Sequence, residues 1–224
     1  MNVTGPKPLI KLIRVTLVSN SEIAPQVYIL SFKRNFTFKA GQVLGLALSA
    51  NDDARLYSIA SGENDDNIDI LYNVKPDGKL TPELAKLNTG DHLWISPPFG
   101  SYFGDSEPAY WIAAGTGIAP FISMYRSGLG KNKTLIHGSR TLDSFYFSDQ
   151  LEKDFGSRYV RCCSQQKGKG IIHGRTTDYL ENLKDLPHDQ KYYLCGSTEM
   201  VIECRDILLH KGISFDNIVA EIYF

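Results

Sequence analysis

Arg55, Leu56, Tyr57 and Ser58 open the stretch RLYSIAS, which reads as a β-strand. Strand side chains alternate faces, so Arg55, Tyr57 and Ile59 share one face and Leu56, Ser58 and Ala60 the other. An arginine and a tyrosine on one face suit a flavin nucleotide, whose isoalloxazine is a flat aromatic plane and whose pyrophosphate is a dianion. Stacking on Tyr57 would contribute about 0.5–1.5 kcal/mol beyond area burial. The planar donor fork of Arg55 suits the pyrophosphate, and Ser58 can hydrogen-bond the redox-active N5 edge. The plainer alternative is a cross-strand Arg–Tyr pair without function.

Two glycine-containing loops add candidates. DGKLT, residues 77–81, places Gly78, Lys79 and Leu80 before a helix start at Thr81, where backbone N–H groups attract phosphate. A glycine turn before a helix is also common with no ligand. AAGTGIAP, residues 113–120, follows a strand and opens a helix, the context of a nucleotide loop. Gly115 and Gly117 would let a ligand approach the backbone closely. Pro120 stands where the dinucleotide fingerprint has its third glycine, so by itself the match is weak.

Two kinds of domain must position these residues. Up to about residue 100, LIKLIRVTLVS, QVYILSF, QVLGLAL, RLYSIA, IDILYNV and DHLWIS each read as a strand, separated by turns such as GENDDN and KPDGK. The single helical segment there is TPELAKL, with Thr81 as N-cap and Pro82 at the first helical position. This predicts an antiparallel β-barrel over residues 1–104. After residue 108 the pattern alternates: AYWIAA then GTGIAPFISMYRSGL, KTLIHGS then DSFYFSDQLEKDF, RYVRCCS then GRTTDYLENL, KYYLCG then STEMVIECRDILLHKG, and FDNIVAEIYF as a last strand. That predicts an α/β domain with a parallel sheet over residues 105–224, joined by FGDSEP.

Composition narrows the classes. A chain of 224 residues with 42% hydrophobic and 22% charged residues has a real core. A net charge of −1 gives no reason to expect nucleic acid or an anionic membrane as partner. No apolar run approaches the roughly 18 residues of a membrane helix, and Pro and Lys interrupt the N-terminus before a signal-peptide core forms. Cys162, Cys163, Cys195 and Cys204 contain no CxxC pair. They read as buried thiols of a cytoplasmic protein, with no metal site and no iron–sulfur cluster expected.

In combination, RLYS, GKLT, GTGIAPF, HGSR, CGSTEM and the C-terminal EIYF, in this order, resemble the ferredoxin–NADP reductase family, and most closely its short bacterial ferredoxin/flavodoxin–NADP reductases. The resemblance covers nearly the whole chain. It implies an FAD-binding barrel followed by an NAD(P)-binding domain, and it implies residue roles. Arg55, Leu56, Tyr57 and Ser58 match the segment that binds the FAD pyrophosphate, stacks on the flavin and contacts N5. Gly78, Lys79, Leu80 and Thr81 match a second FAD-phosphate segment. Gly115, Thr116, Gly117 and Pro120 match the loop under the pyridine nucleotide. Cys195 and Gly196 match a pair beside the nicotinamide, and Glu221 a carboxylate tied to proton and hydride handling. Ser58, Cys195 and Glu221 are thus the implied catalytic set. Tyr223 and Phe224 match terminal aromatics, one covering the flavin and the other stacking on adenine. Read as bare residues, Cys195 is a small buried strand position, Glu221 a solvated charge and Phe224 a strand cap.

The implied activity is electron transfer between NAD(P)H and a one-electron carrier, ferredoxin or flavodoxin, met transiently as a separate protein. A loose-flavin NAD(P)H:flavin reductase, the reductase component of an oxygenase and a flavin module without turnover are the rivals. NADP-dependent relatives carry Ser-Arg after the third strand of this domain; here Ser164-Gln165 stands instead. Arg140 and Arg175 remain as phosphate ligands, with Lys167 and Lys169 nearby. The terminal aromatics resemble NADP-type members, which favours NADPH over NADH.

Overall fold

The computed structural model describes residues 11–223. In the first half, β1 (Ile13–Ala24), β2 (Val27–Lys33), β3 (Val43–Ala47), β4 (Arg55–Ser58), β5 (Asn67–Asn73) and β6 (His92–Ile95) form one antiparallel sheet, ordered β4-β3-β6-β1-β2-β5. All six expected runs are strands. Strand β1 pairs β6 along its first part and β2 along the rest, and its two register shifts bend it around the core. The two edges meet where Ile59 bridges Ile70 and the Ala60 N–H donates to the Asp69 carbonyl at 2.8 Å. The sheet thereby curls into a barrel. Alternation along β5 sends Ile68, Ile70 and Tyr72 inward, against Leu30, Phe32 and Leu44.

The expected TPELAKL helix is shorter: α1 spans Thr81–Leu84, with Leu80 rather than Thr81 at the N-cap. The Thr81 hydroxyl is used otherwise, accepting the Lys75 N–H at 2.8 Å. At the other end, Asn20 Nδ2 donates to the Leu84 and Leu87 carbonyls and so supplies from β1 the partners that further helix would have given.

In the second half, β7 (Ala109–Ala114), β8 (Lys133–Ser139), β9 (Tyr159–Cys163), β10 (Ile172–His173), β11 (Lys191–Ser197) and β12 (Ile218–Tyr223) form a sheet ordered β10-β9-β8-β7-β11-β12. Every pairing in it is parallel. The two-residue β10 is too short to leave a sequence pattern. Helices α2 (Ala119–Met124) and α3 (Ser148–Phe155) cover one face, and α4 (Thr176–Asn182) and α5 (Thr198–His210) the other. Trp111 and Leu135 meet Phe121 and Phe155 on the first face; Ile112, Ile136 and Leu194 meet Leu180 and Leu208 on the second. Burial on both faces explains the near-continuous apolar runs of β7, β8 and β11.

Two expected helices are interrupted. GTGIAPFISMYRSGL divides into a 3₁₀ turn at Gly115–Ile118, then α2, then a π turn at Tyr125–Leu129 ending near Gly128 at φ 87°. At DSFYFSDQLEKDF, a 3₁₀ turn at Leu142–Ser144 comes first, and the α-helix begins only at Ser148, after Phe147 at φ 63°. No helix among the described residues is long and apolar enough to cross a membrane.

The halves share a core. Val27, Ala60, Leu71 and Tyr102 belong to the same buried cluster as Trp111, Phe121 and Tyr193. The connecting segment is anchored by Lys133, whose fully buried ammonium donates to the carbonyls of Asp105 (2.8 Å) and Glu107. Lys191 adds a 2.9 Å bond to the Asp105 carboxylate.

Candidate functional site

Where the barrel meets the parallel sheet lies a cleft of about 2110 Å³. A pocket for one small ligand spans roughly 300–1,000 Å³, so this cleft has room for two extended ligands. It opens beyond the carboxyl ends of β7, β8 and β11, the end at which such sheets bind nucleotides.

Arg55, Leu56, Tyr57 and Ser58 all line it. Strand β4 is the outer strand of its sheet and ends at the cleft, so residues of both its faces reach the space. Arg55 is exposed and Tyr57 half-buried against the barrel core. Burial pushes the Tyr57 phenol up to about 12, so it stays neutral at physiological pH and keeps its ring as an uncharged plane. Gly78, Lys79, Leu80 and Thr81 also line the cleft. The Gly78 N–H is committed to the Lys75 carbonyl at 2.8 Å, which closes the turn, while the Lys79 side chain is exposed.

On the opposite wall, Gly115, Thr116 and Gly117 follow the end of β7 and line the cleft. Gly115 sits at φ +54° with open space where a side chain would be. Gly117 packs on β11: a Cβ there would lie 2.7 Å from both the Cys195 carbonyl carbon and the Gly196 Cα. Only glycine permits that approach. Pro120 is buried in the first turn of α2, and Cys195 lies fully buried behind Gly117; neither is part of the lining. Gly196 and Glu221 are part of it.

Of the three implied catalytic residues, the structure brings Ser58 and Glu221 into contact within the cleft. Ser58 Oγ donates to Glu221 Oε2 at 3.1 Å, from the barrel to the parallel sheet. Parallel pairing of β11 with β12 puts Glu221 directly beside Cys195. Phe224 and the Tyr223 side chain lie outside the described residues; the Tyr223 backbone pairs with Ser197.

Arg140 and Arg175 line the nucleotide side, both exposed. Arg175 Nη2 is 2.9 Å from Glu203 Oε2. Ser164 lines the cleft as well, whereas Gln165, Lys167 and Lys169 do not. Sequence reasoning passed over Ser139, Ser144, Thr176 and Thr177, which also line the cleft. The Thr-Thr pair opening α4 was the available signal, because hydroxyls at a helix start commonly meet anions. It also passed over the barrel residues 51–54, 71–74 and 99–102, which complete the opposite wall and carry no motif. His137 of HGSR turns out to be a core residue: fully buried, with Nδ1 3.1 Å from the Tyr159 hydroxyl. Burial pushes it down to about 4, so it is neutral.

These residues fit a dinucleotide on each wall: a cation and an aromatic plane beside β4, and a glycine loop at the end of β7 that admits close approach of a pyrophosphate. The oxidoreductase FAD-binding domain family matches residues 10–103, and the oxidoreductase NAD-binding domain family matches residues 111–206. The chain is 27% identical to the phenol hydroxylase P5 protein of Acinetobacter pittii, over 89% of this chain and 62% of that protein's length. It is 28% identical to the ferredoxin–NADP reductase of Pseudomonas aeruginosa, over 82% of this chain and 83% of that one. A ferredoxin NADP+ reductase from Neisseria gonorrhoeae, solved with bound FAD and NADP, superimposes with a TM-score of 0.87 at 22% identity, covering 96% of this chain and 99% of that one.

Proposed function

The chain belongs to the ferredoxin–NADP reductase family, and from that premise we propose that it is an FAD-dependent oxidoreductase passing electrons between NAD(P)H and a one-electron carrier, ferredoxin or flavodoxin. The observation that carries this is the Ser58–Glu221 hydrogen bond, which sets a hydroxyl and a carboxylate where the two nucleotide walls converge. When bound, FAD would supply the redox chemistry, hydride acceptance from the nicotinamide and one-electron release to the carrier.

The residues of the chain do the rest. Arg55 neutralises the FAD pyrophosphate, and Tyr57 presents its ring to the flavin plane. Lys79 and the segment 78–81 add a second phosphate contact. Gly115, Thr116 and Gly117 bed the pyridine nucleotide, supported from behind by Pro120 and Cys195. Ser58 and Glu221 share a proton in their hydrogen bond and would present it to the flavin's reactive edge.

NADPH is the favoured coenzyme over NADH, with Arg140 and Arg175 taking the 2′-phosphate in place of the arginine replaced by Gln165. The chain divides into residues 1–104 and 105–224; family matches that end at 103 and begin at 111 support this. A cytoplasmic location suits the four buried cysteines, none of them in a disulfide among the described residues. The carrier docks transiently, through the small interface typical of redox encounters.

A second reading, the reductase component of an oxygenase, draws on relatives such as the phenol hydroxylase P5 protein, of which the chain spans 62%. Anaerobic titration of the purified protein tests the main reading. Flavin bands that bleach with NADPH, followed by reduction of added ferredoxin or flavodoxin, are expected. A colourless protein that oxidises NAD(P)H only with added free flavin would overturn it.

A further inference from the structure

The two walls are joined by a set of contacts beyond Ser58 and Glu221. Directly after Ser58, residues 59–63 leave β4 and run along the helical segment that begins at the nucleotide loop. Ser123 Oγ, fully buried, donates to the Ser61 carbonyl at 2.6 Å. Ser127 Oγ accepts the Glu63 N–H at 3.0 Å. Gly62 leaves no gap: a Cβ there would meet the Arg126 carbonyl and Cβ at 3.0 Å. Arg126 itself reaches back into the barrel. Its Nη1 donates to Asp69 Oδ2 at 2.8 Å and to the Ala60 carbonyl at 3.3 Å. The second Asp69 oxygen accepts from Ser31 Oγ at 2.6 Å. Phe147 lies 5.5 Å from the guanidinium.

We propose that Arg126 is a positioning residue for hydride transfer: it fixes the strand bearing Tyr57 and Ser58 against the helix that carries the Gly115–Gly117 loop. The proposal rests on the functional reading above. Ala60 is two residues from Ser58, and α2 follows directly from the nucleotide loop, so the Arg126 contacts set the spacing between the two cofactor walls. The pair is about three-quarters buried on both sides (24% and 23% exposed), so solvent screens it weakly. Nη1 serves a carboxylate and a backbone carbonyl at once, and a guanidinium, being more weakly hydrated than an ammonium, is the better cation for so buried a pair. The distance between reacting atoms is sensitive to such a support, since a 1 Å misplacement costs on the order of 100-fold in rate.

The test uses the FAD-loaded protein and its variants Arg126→Ala, Arg126→Lys and Asp69→Asn. Flavin content, coenzyme Kd and the anaerobic rate of flavin reduction with 4-deuterated coenzyme are measured. Amide hydrogen exchange over residues 58–63 and 115–118 is followed without coenzyme. In Arg126→Ala and Asp69→Asn the reduction rate should fall roughly 10- to 100-fold while flavin content and Kd stay within about twofold. Exchange should quicken in both segments, and Arg126→Lys should recover part of the rate. Unchanged rates in both variants would overturn the proposal. So would a rate loss matched by equal losses of flavin and coenzyme binding, because Arg126 would then only hold the fold. Wild-type flavin that neither NADPH nor NADH reduces would overturn the functional reading instead.

Discussion

Ser58 Oγ donates a 3.1 Å hydrogen bond to Glu221 Oε2 across 163 residues of sequence, linking the last residue of β4 to the strand beside Cys195. Each of these residues belongs to a different sheet, so the bond exists only when both halves are folded and docked. A hydrogen bond to a charged group contributes about 1.5–3 kcal/mol. Ser58→Ala should therefore slow flavin reduction by roughly 10- to 100-fold, with FAD content preserved. Stopped-flow absorbance measures it; an unchanged rate would reduce the pair to a structural tie.

Arg175 is held by Glu203 at 2.9 Å on an exposed part of the cleft rim. If it receives the 2′-phosphate, Arg175→Ala should weaken NADPH binding roughly 10- to 100-fold and leave NADH nearly untouched. Glu203→Ala should act oppositely by releasing the guanidinium. Calorimetric titration with both coenzymes decides between Arg175 and Arg140, because a flat response in Arg175→Ala transfers the role to Arg140.

Gly117→Ala forces a methyl group to within 2.7 Å of the Cys195–Gly196 backbone. Strand β11 cannot yield cheaply, being paired on both sides. Overpacking of this kind costs about 1–3 kcal/mol. Thermal unfolding should shift down by roughly 2–4 °C for each kcal/mol. Coenzyme affinity should fall as well, and a variant with normal Tm and normal affinity would show that the loop is not held this way.

His137 makes stability depend on acid. Burial holds it at about 4 in the folded chain, against an ordinary value near 6.5. Below pH 6.5 the unfolded chain takes up a proton that the folded one refuses, so stability is complete above that pH and declines toward pH 4. The loss across this window is about 3 kcal/mol. His137→Gln should show a smaller fall in Tm between pH 7 and pH 4.5 than the wild type. Equal falls would assign acid sensitivity to the carboxylates alone.

What the sequence by itself determined is what short range decides. The period-two runs became the six barrel strands and the apolar runs became the parallel sheet, because alternation and two-sided burial are written residue by residue. The glycines of GTGIAP marked the loop because close approach requires them there. Helix interruptions at Phe147 and Gly128, and the shortening of α1 by Asn20 and Lys75, escaped because their causes lie in backbone twists or distant partners.

Only the tertiary structure decided how the motifs meet. It placed Cys195 and Pro120 behind the lining and put Glu203 on Arg175. It turned the histidine of HGSR into a neutral core residue and carried Arg126 across to Asp69. The Arg126–Asp69 contact is fixed by how the two sheets dock around a shared core, and the others by how the parallel strands and their helices stack within the second half. Local patterns hold no record of that docking, because its free energy comes from burial and hydrogen bonds that neither half makes alone.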